Sequence, residues 1–572
     1  MAKTDTAPRV RKEVASPFWV RLRAIALLFH FGEFPLKRSL FGMSVLAAAV
    51  VFSNCNCGGA APIGAFCNTG ADCESKTCGV DNRCIAAGDG GTGGGTGGQA
   101  GGMGGNGGNG GNGGGAPMTL PDGGPCAGLQ CQVATCTGGT STTLTGKVYD
   151  PGGNVPLYNA IVYVPNAALK QFPTGATCDA CGALVSGNPV AITLTDASGS
   201  FRLENVPDGA NIPLVVQIGK WRRQVNLTQV NECQENAITD VNLTRLPRNQ
   251  SEGDLPLMAL ASGDADAFEC LLRKIGISDS EFTNPSGSGR VHFYRENGGR
   301  LPGTTPNGDT LWASTNNLTK YDVVILPCEG RDNYKQANQV SNMVNYANIG
   351  GRVFATHYSY VWTEIGWPAA ATWDPGLDDL YAQTFNVTVD QSFPKGMAFA
   401  QWLHNVNASM TVGTLGIRES RHDVTAVGPG STRWLYGDIP AAAPKQSSIQ
   451  HLTYNTPFRD AGTLVDGGAA PQCGRVVFSD FHVTAGAVKP DAGTNFPNYC
   501  VPGALSAQEK ALEFMLFDLS ACVQDDATGP SVCKAVGQGC ASDGQCCAGL
   551  SCLDNMGNAC AGAGCTCEPG IN

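Results

Sequence analysis

The run Tyr321-Asp322-Val323-Val324-Ile325-Leu326 breaks into the turn Pro327-Cys328-Glu329-Gly330, and a second run, Arg352-Val353-Phe354-Ala355, ends in Thr356-His357-Tyr358-Ser359-Tyr360. Between them Ala337, Val340, Met343, Val344 and Ala347 recur at spacings of three and four, which gives one apolar helix face. Asn348 to Gly351 supplies the stop, because glycine is favoured just past a helix end. Two short apolar runs with a helix between them predict a βαβ unit. Such units are right-handed and belong to parallel sheets covered by helices. Ligands of these sheets sit beyond the carboxyl ends of the strands, where both polar clusters fall.

Working outward, Leu257 to Ala261 reads as a first strand, Gly263 to Asp266 as a turn into a helix bearing Phe268, Leu271 and Leu272, and Val291 to Tyr294 as a second strand. Near the far end Ser506-Ala507-Gln508-Glu509 is a capping box, followed by a helix with Leu512, Met515, Leu516 and Leu519 on one face. These motifs resemble the class I glutamine amidotransferase-like superfamily, and in particular its trehalose-utilisation (ThuA-like) branch. That branch also carries a His after the second strand, and Gly474-Arg475-Val476-Val477-Phe478-Ser479-Asp480-Phe481-His482 is similar to its closing Gly-Arg-Val strand with a following His. Phe393-Pro394-Lys395-Gly396 is a fainter echo of a His-Pro motif, without the His. The resemblance covers about Leu255 to Cys522 and implies a doubly wound, flavodoxin-like α/β sheet. It also implies a Cys nucleophile at the elbow where this chain has Thr356, and paired glycines where it has Cys328-Glu329. A Thr hydroxyl needs an adjacent base to become nucleophilic, so glutamine amidotransfer is not expected.

The chain of 572 residues is too long for one core. A net charge of −11, with 37 Lys and Arg and no basic block beyond the N-terminus, argues against a nucleic-acid partner. Twenty-five Cys, many closely spaced, point to an oxidising compartment. Residues 1–57 read as an export segment: Lys37 and Arg38 precede the apolar run Leu40 to Phe52, which is too short to span a bilayer. Phe52-Ser53-Asn54-Cys55 resembles a bacterial lipobox, making Cys55 the candidate lipidation site and a lipid anchor the membrane contact. Residues 58–88 form a four-Cys mini-module from Cys67 to Cys84, and residues 89–118, centred on Gly90 to Gly115, a flexible tether.

Residues 119–250 carry short strands with Gly, Pro and Asp turns, which predicts an antiparallel β-sandwich. Thr145-Gly146-Lys147-Val148-Tyr149-Asp150, followed by Thr195-Asp196-Ala197-Ser198-Gly199-Ser200-Phe201, resembles carboxypeptidase regulatory-like (transthyretin-like) domains, which are usually non-catalytic. Cys178 and Cys181 read either as a redox pair or, preferably, as a loop staple or partners for Cys233. Residues 251–525 are the α/β domain. Residues 526–572 pack eight Cys between Cys533 and Cys567, with spacing that resembles the opening of cystine-knot (knottin-like) miniproteins.

Chemistry concentrates at few positions. His357 and His482 follow apolar strands directly and, with Glu329 and Asp480, read as an acid/base pair or a divalent-metal site. Glu329 and His357 would end neighbouring strands about 5 Å apart across the ladder. Tyr358, Tyr360 and Trp362 would wall the same cleft for stacking on a sugar, and Arg421 with His422 is a further ligand-binding candidate. The opposing reading keeps these residues as hydrogen-bonded structure. No Gly-x-Ser-x-Gly or His-Glu-x-x-His occurs, and no organic cofactor is expected. Three functions remain open: an exported surface protein binding carbohydrate or another ligand, a ThuA-like hydrolase or sugar-modifying enzyme working at His357 and His482, and a structural envelope protein.

Overall fold

The computed structural model describes residues 126–569 apart from 179–183, 300, 376–383, 440–445, 460–470, 484–494, 548, 555 and 561–563. The export segment with Cys55, the mini-module and the Gly-rich tether lie outside the described residues. The largest element is a ten-stranded mixed sheet. In chain order its strands are β1 (Met258–Ser262), β2 (Phe282–Thr283), β3 (Val291–Arg295), β4 (Val323–Leu326), β5 (Arg352–Thr356), β6 (Phe385–Val389), β7 (Thr414–Ile417), β8 (Ser431–Asp438), β9 (Ser447–Thr456) and β10 (Gly474–Ser479). Across the sheet the order is β7-β6-β8-β9-β10-β5-β4-β1-β3-β2. The six strands from β10 to β2 are parallel. The other four run antiparallel to their neighbours.

Near-continuous apolar runs form the central strands because both faces are covered. Met258, Leu260, Val323, Ile325 and Phe354 join one core cluster. Ala259, Val324, Val353, Ala355 and Val476 join the other, as the two-residue period of a strand requires. Helices α1 (Phe268–Lys274), α4 (Pro394–Asn405) and α5 (Ala507–Ser520) pack on the first face, and α2 (Ala337–Asn348) and α3 (Tyr360–Gly366) on the second. The expected βαβ unit is β4-α2-β5, in register from Val323 opposite Arg352 to Leu326 opposite Ala355. Gln336 and Gln339 close a capping box at the start of α2. At its end Gly350 has φ +122°, and an added Cβ would lie 2.1 Å from the Thr177 carbonyl. Only glycine meets both demands. Ser506 and Glu509 cap α5 as its sequence predicts.

From β1 the chain passes to β3 on one side and then to β4 on the other, so the strand order reverses between β1 and β4. A crevice opens at the carboxyl ends of strands flanking such a switch point.

The preceding β region holds a four-stranded antiparallel sheet, ordered 189–194, 161–165, 209–218, 221–230. A three-stranded sheet places 143–147 between 200–204 and 235–237. The purely antiparallel expectation needs one correction, because 143–147 pairs with 235–237 in parallel. The intervening strands give the chain the long crossover that a parallel pair needs. This region shares its core with the α/β sheet. Tyr158 stacks on Phe514 at 5.7 Å, and the Trp402 indole N–H donates to the Pro156 carbonyl at 2.7 Å. A disulfide from Cys178 to Cys473 adds a covalent tie and Cys233 bonds Cys136, which corrects each reading offered for Cys178: a redox pair or staple with Cys181, and a partner for Cys233.

The last segment pairs Cys533 with Cys547, Cys540 with Cys552, Cys546 with Cys567 and Cys560 with Cys565. The first three bonds interleave. The apolar support is small, with Tyr163, Val185 and Val215 meeting Val536 and Leu550. Each disulfide is worth about 2–4 kcal/mol, so mild reduction should expose 533–567 to protease before the ten-stranded sheet opens. Fragment masses after timed digestion check this, and simultaneous cleavage throughout would contradict it.

Candidate metal centre

Four polar side chains meet at the carboxyl ends of four adjacent strands. Asp266 follows β1, Cys328 follows β4, His357 follows β5 and His482 follows β10. Thr356 ends β5 in extended conformation, and the sharp turn falls on His357, whose φ is +50°. A non-glycine residue held there costs about 1–3 kcal/mol and persists only where its surroundings over-determine it. The expected elbow is thus displaced by one residue. The Thr356 hydroxyl donates to Asp266 Oδ2 at 2.7 Å and accepts the Cys328 N–H at 3.1 Å, so it braces the turn.

The thiol that the resemblance places at the elbow comes instead from the neighbouring strand. Cys328 is the free cysteine among the described residues and is 0% exposed. Its Sγ lies 3.3 Å from His357 Nδ1 and accepts the Gly330 N–H at 3.3 Å. The His357 and His482 rings meet edge to face at 3.9 Å between centroids. Ligand atoms of Cys328, His357 and His482 all lie within 4.8 Å of one another. His482 Nδ1 stands 3.1 Å from Asp266 Oδ1, close enough for an ion pair although not aligned as a hydrogen bond. Asp266 Oδ1 also accepts the Val483 N–H at 2.9 Å.

Electrostatics separates the two imidazoles. Burial lowers the His357 pKa well below its usual value, and His482 and Arg421 push it further. Burial opposes charge on His482 too, but Asp266 and Cys328 prevail and hold its pKa well above the ordinary value.

The other predicted residues take different places. Glu329 turns from the histidines to Lys335 at 2.7 Å and Asn333 at 2.8 Å. Trp362 is a core residue, edge-on to Trp312 at 4.9 Å, and Tyr360 is likewise buried. The Arg421 guanidinium covers Tyr358 at 4.1 Å and forks onto Asp423 at 2.8 and 2.9 Å. The three aromatic side chains therefore do not line up as a stacking wall. His422 Nδ1 contacts the Ser448 hydroxyl at 2.8 Å. Asp480 accepts the Asp423 N–H at 2.8 Å, and burial, reinforced by Asp423, raises its pKa well above the carboxylate range.

The sequence reading missed Cys328 as a site residue, taking it for part of a turn, and Asp266 for another turn. The odd cysteine count was the available signal, but Cys55 absorbed it. A second cysteine cluster, Cys540, Cys546 and Cys567, consists of disulfide partners and is no metal site.

No family model matches this chain, and no curated protein matches it. Among solved structures, similarity is found to a cytoplasmic protein from Salmonella typhimurium at 11% identity and TM-score 0.23, covering 46% of this chain and 98% of that one. An N-terminal interface mutant of a type II cohesin-X-dockerin complex from Acetivibrio cellulolyticus gives 12% identity and TM-score 0.14, covering 22% and 80%. Likeness at this level identifies neither fold nor function.

Proposed function

We propose that this is an exported protein whose α/β domain holds one transition-metal ion, zinc foremost, on Cys328, His357 and His482. The carrying observation is the convergence of one thiol and two imidazoles, within 4.8 Å, from three neighbouring strand ends. A thiolate with imidazoles suits zinc and its softer neighbours. Two outer partners support the reading: Asp266 beside His482, and the Gly330 N–H on Cys328 Sγ. Ligating groups ordinarily keep such partners, which fix orientation and basicity.

Three protein ligands leave a fourth position open, the pattern of catalytic rather than structural zinc. A bound zinc there would supply Lewis acidity and an acidified water. That chemistry favours a hydrolase over a purely structural role. The six parallel strands and the placement at the switch point support a flavodoxin-like core of the amidotransferase-like and ThuA-like kind. The disulfides support export, with lipid attachment at Cys55 part of the same proposal.

A second reading makes Cys328 a nucleophile served by His482 and Asp266, favoured by His482 standing 3.1 Å from Asp266 and within 4.8 Å of Cys328 Sγ. Metal analysis of the full chain distinguishes them. One zinc per chain is expected, lost in Cys328→Ser and in His482→Ala, with Cys328 alkylated only after chelation. A metal-free chain whose Cys328 alkylates rapidly would overturn the metal reading and favour the thiol one.

A further inference from the structure

The segment 495–503 lies against α1, the helix of seven residues that begins just after Asp266 and Ala267. Its backbone gives it little hold. Among the described residues its main-chain hydrogen bonds stay within the segment, from the Asn498 N–H to the Asn495 carbonyl at 2.9 Å and from the Cys500 N–H to the Pro497 carbonyl at 3.0 Å. Side chains and one covalent bond hold it instead. Phe496 packs on Phe282 at 4.9 Å and on Phe293 at 5.0 Å. The Tyr499 hydroxyl donates to Glu269 Oε1, which also accepts the Ser262 hydroxyl at 3.0 Å, so this carboxylate ties the segment and α1 to the end of β1. Cys500 bonds Cys270 of α1 across a sequence separation of 230. Ala267, directly after Asp266, joins Cys270 and Tyr499 in one buried cluster. The disulfide is nonetheless reachable. Both cysteines line an open cleft of about 360 Å3, beside Arg273, Lys274 and Val501. Cys500 is half-buried whereas Cys270 is 6% exposed, so a thiolate entering the cleft meets Cys500 first.

We propose that Cys270–Cys500 is a thiol-exchange site opened by an external dithiol, and that opening it releases 495–503 and slackens the hold of Asp266 on His482. A thiolate of the dithiol attacks Cys500 Sγ, the S–S bond breaks, and Cys270 leaves with the electron pair and takes a proton from water. The second thiol of the dithiol then displaces Cys500 from the mixed disulfide. Both cysteines end reduced, and the dithiol ends oxidised to its own disulfide. Arg273 and Lys274 stand three and four residues after Cys270 on the same helix face, and their positive charge favours the departing thiolate even with Asp279 and Glu509 paired to them. A helix this short has no stability of its own, so α1 depends on what packs against it. Phe268, Leu271 and Leu272 keep its inner face in the core. Its outer flank loses Tyr499, and Glu269, which is 1% exposed, loses a buried donor. That loosening reaches Asp266, whose oxygens accept from Thr356 and Val483 and stand beside His482. The effect on zinc rests on the metal reading; the exchange does not.

The test uses the full-length protein. Graded dithiothreitol, followed by alkylation and fragment mass analysis, should find Cys270 and Cys500 labelled together while circular dichroism still reports the folded sheet. Zn2+ affinity by chelator competition should be about ten-fold weaker in Cys270→Ser with Cys500→Ser. Tyr499→Phe keeps the disulfide, serves where the double variant does not fold, and should be about three-fold weaker. Alkylation of Cys328 in chelated protein should quicken by about the same factors, because local opening exposes the thiol. Cys178→Ser with Cys473→Ser removes another long-range disulfide, at the opposite end of β10, and should leave both readouts unchanged. Labelling of Cys270 and Cys500 only as the whole chain unfolds would overturn the exchange site. Equal affinity and Cys328 rate in wild type and the Cys270 and Cys500 variant, or equal losses in both disulfide variants, would overturn the link to Asp266. Absence of Zn2+ binding in every protein would refute the metal reading, and the Cys328 rates would then decide the link.

Discussion

Asp266→Ala is expected to lower stability by about 3–5 kcal/mol and to weaken zinc binding by ten- to a hundred-fold. Asp266 is buried, accepts from the Thr356 hydroxyl and the Val483 N–H, and stands as counter-charge beside the His482 ring. Removing it leaves an imidazolium-prone ring without its counter-charge and two donors without an acceptor. Asp266→Asn should lie between wild type and Ala, because its amide keeps one acceptor while losing the charge. On the proposed metal reading Asp266 is a positioning residue, acting through His482 rather than on the metal. Cobalt substitution tests that role apart from stability. The thiolate-to-cobalt absorption should persist, since Cys328 is intact, while the ligand-field bands shift as His482 turns. Urea unfolding and chelator competition supply the magnitudes. A stable variant with unchanged affinity and spectrum would remove Asp266 from the centre.

What was legible in the sequence follows from what local pattern can encode. Val323 to Leu326 and Val353 to Ala355 are apolar throughout because helices cover both faces, and the period of α2 is written in Val340, Met343 and Ala347. His357 and His482 were found because a polar residue directly after a buried strand falls at the sheet's edge. Cys328 and Asp266 were not, because Cys328 meets His357 across 29 residues and Asp266 meets Val483 across 217. No spacing rule reaches so far. Trp362 and Glu329 show the converse failure. Trp362 lies within the first turns of α3, and the rotation of that helix sends its ring into the core against Trp312. Glu329 had a nearby lysine six residues on, and that local ion pair outcompeted the histidines. The left-handed turn at His357 was also invisible, since nothing but tertiary contact holds a histidine there.

Arg475→Met should destabilise the chain by about 3–5 kcal/mol through a buried network separate from the candidate metal ligands. Arg475 lies on β10 and is 1% exposed. One of its terminal nitrogens reaches Asp518 at 2.9 Å and Asp526 at 2.8 Å, and the other reaches Asn455 at 2.9 Å. Lys395 meets the same carboxylates at 2.7 and 3.2 Å, so two cations balance two anions in an enclosed space. Methionine fills the volume but leaves Lys395 facing two carboxylates, a net buried charge. Lysine is not an equivalent replacement, because its single nitrogen cannot hold both acids and Asn455 from two ends of one planar group. Burial opposes ionisation of Asp526, but Arg475 and Lys395 hold its carboxyl well below the usual range. A depressed carboxyl contributes stability that is present above its unfolded pKa of about 4 and lost as pH falls below it. Wild type should therefore lose this contribution on acidification, and Arg475→Met should lose less, since protonating either Asp relieves its surplus charge. Arg475→Met with Asp526→Asn restores neutrality and should recover part of the loss at pH 7. Urea midpoints at pH 4 and pH 7 for the three proteins decide it. A double variant no more stable than the single one would show that packing around the guanidinium, rather than buried charge, sets the cost.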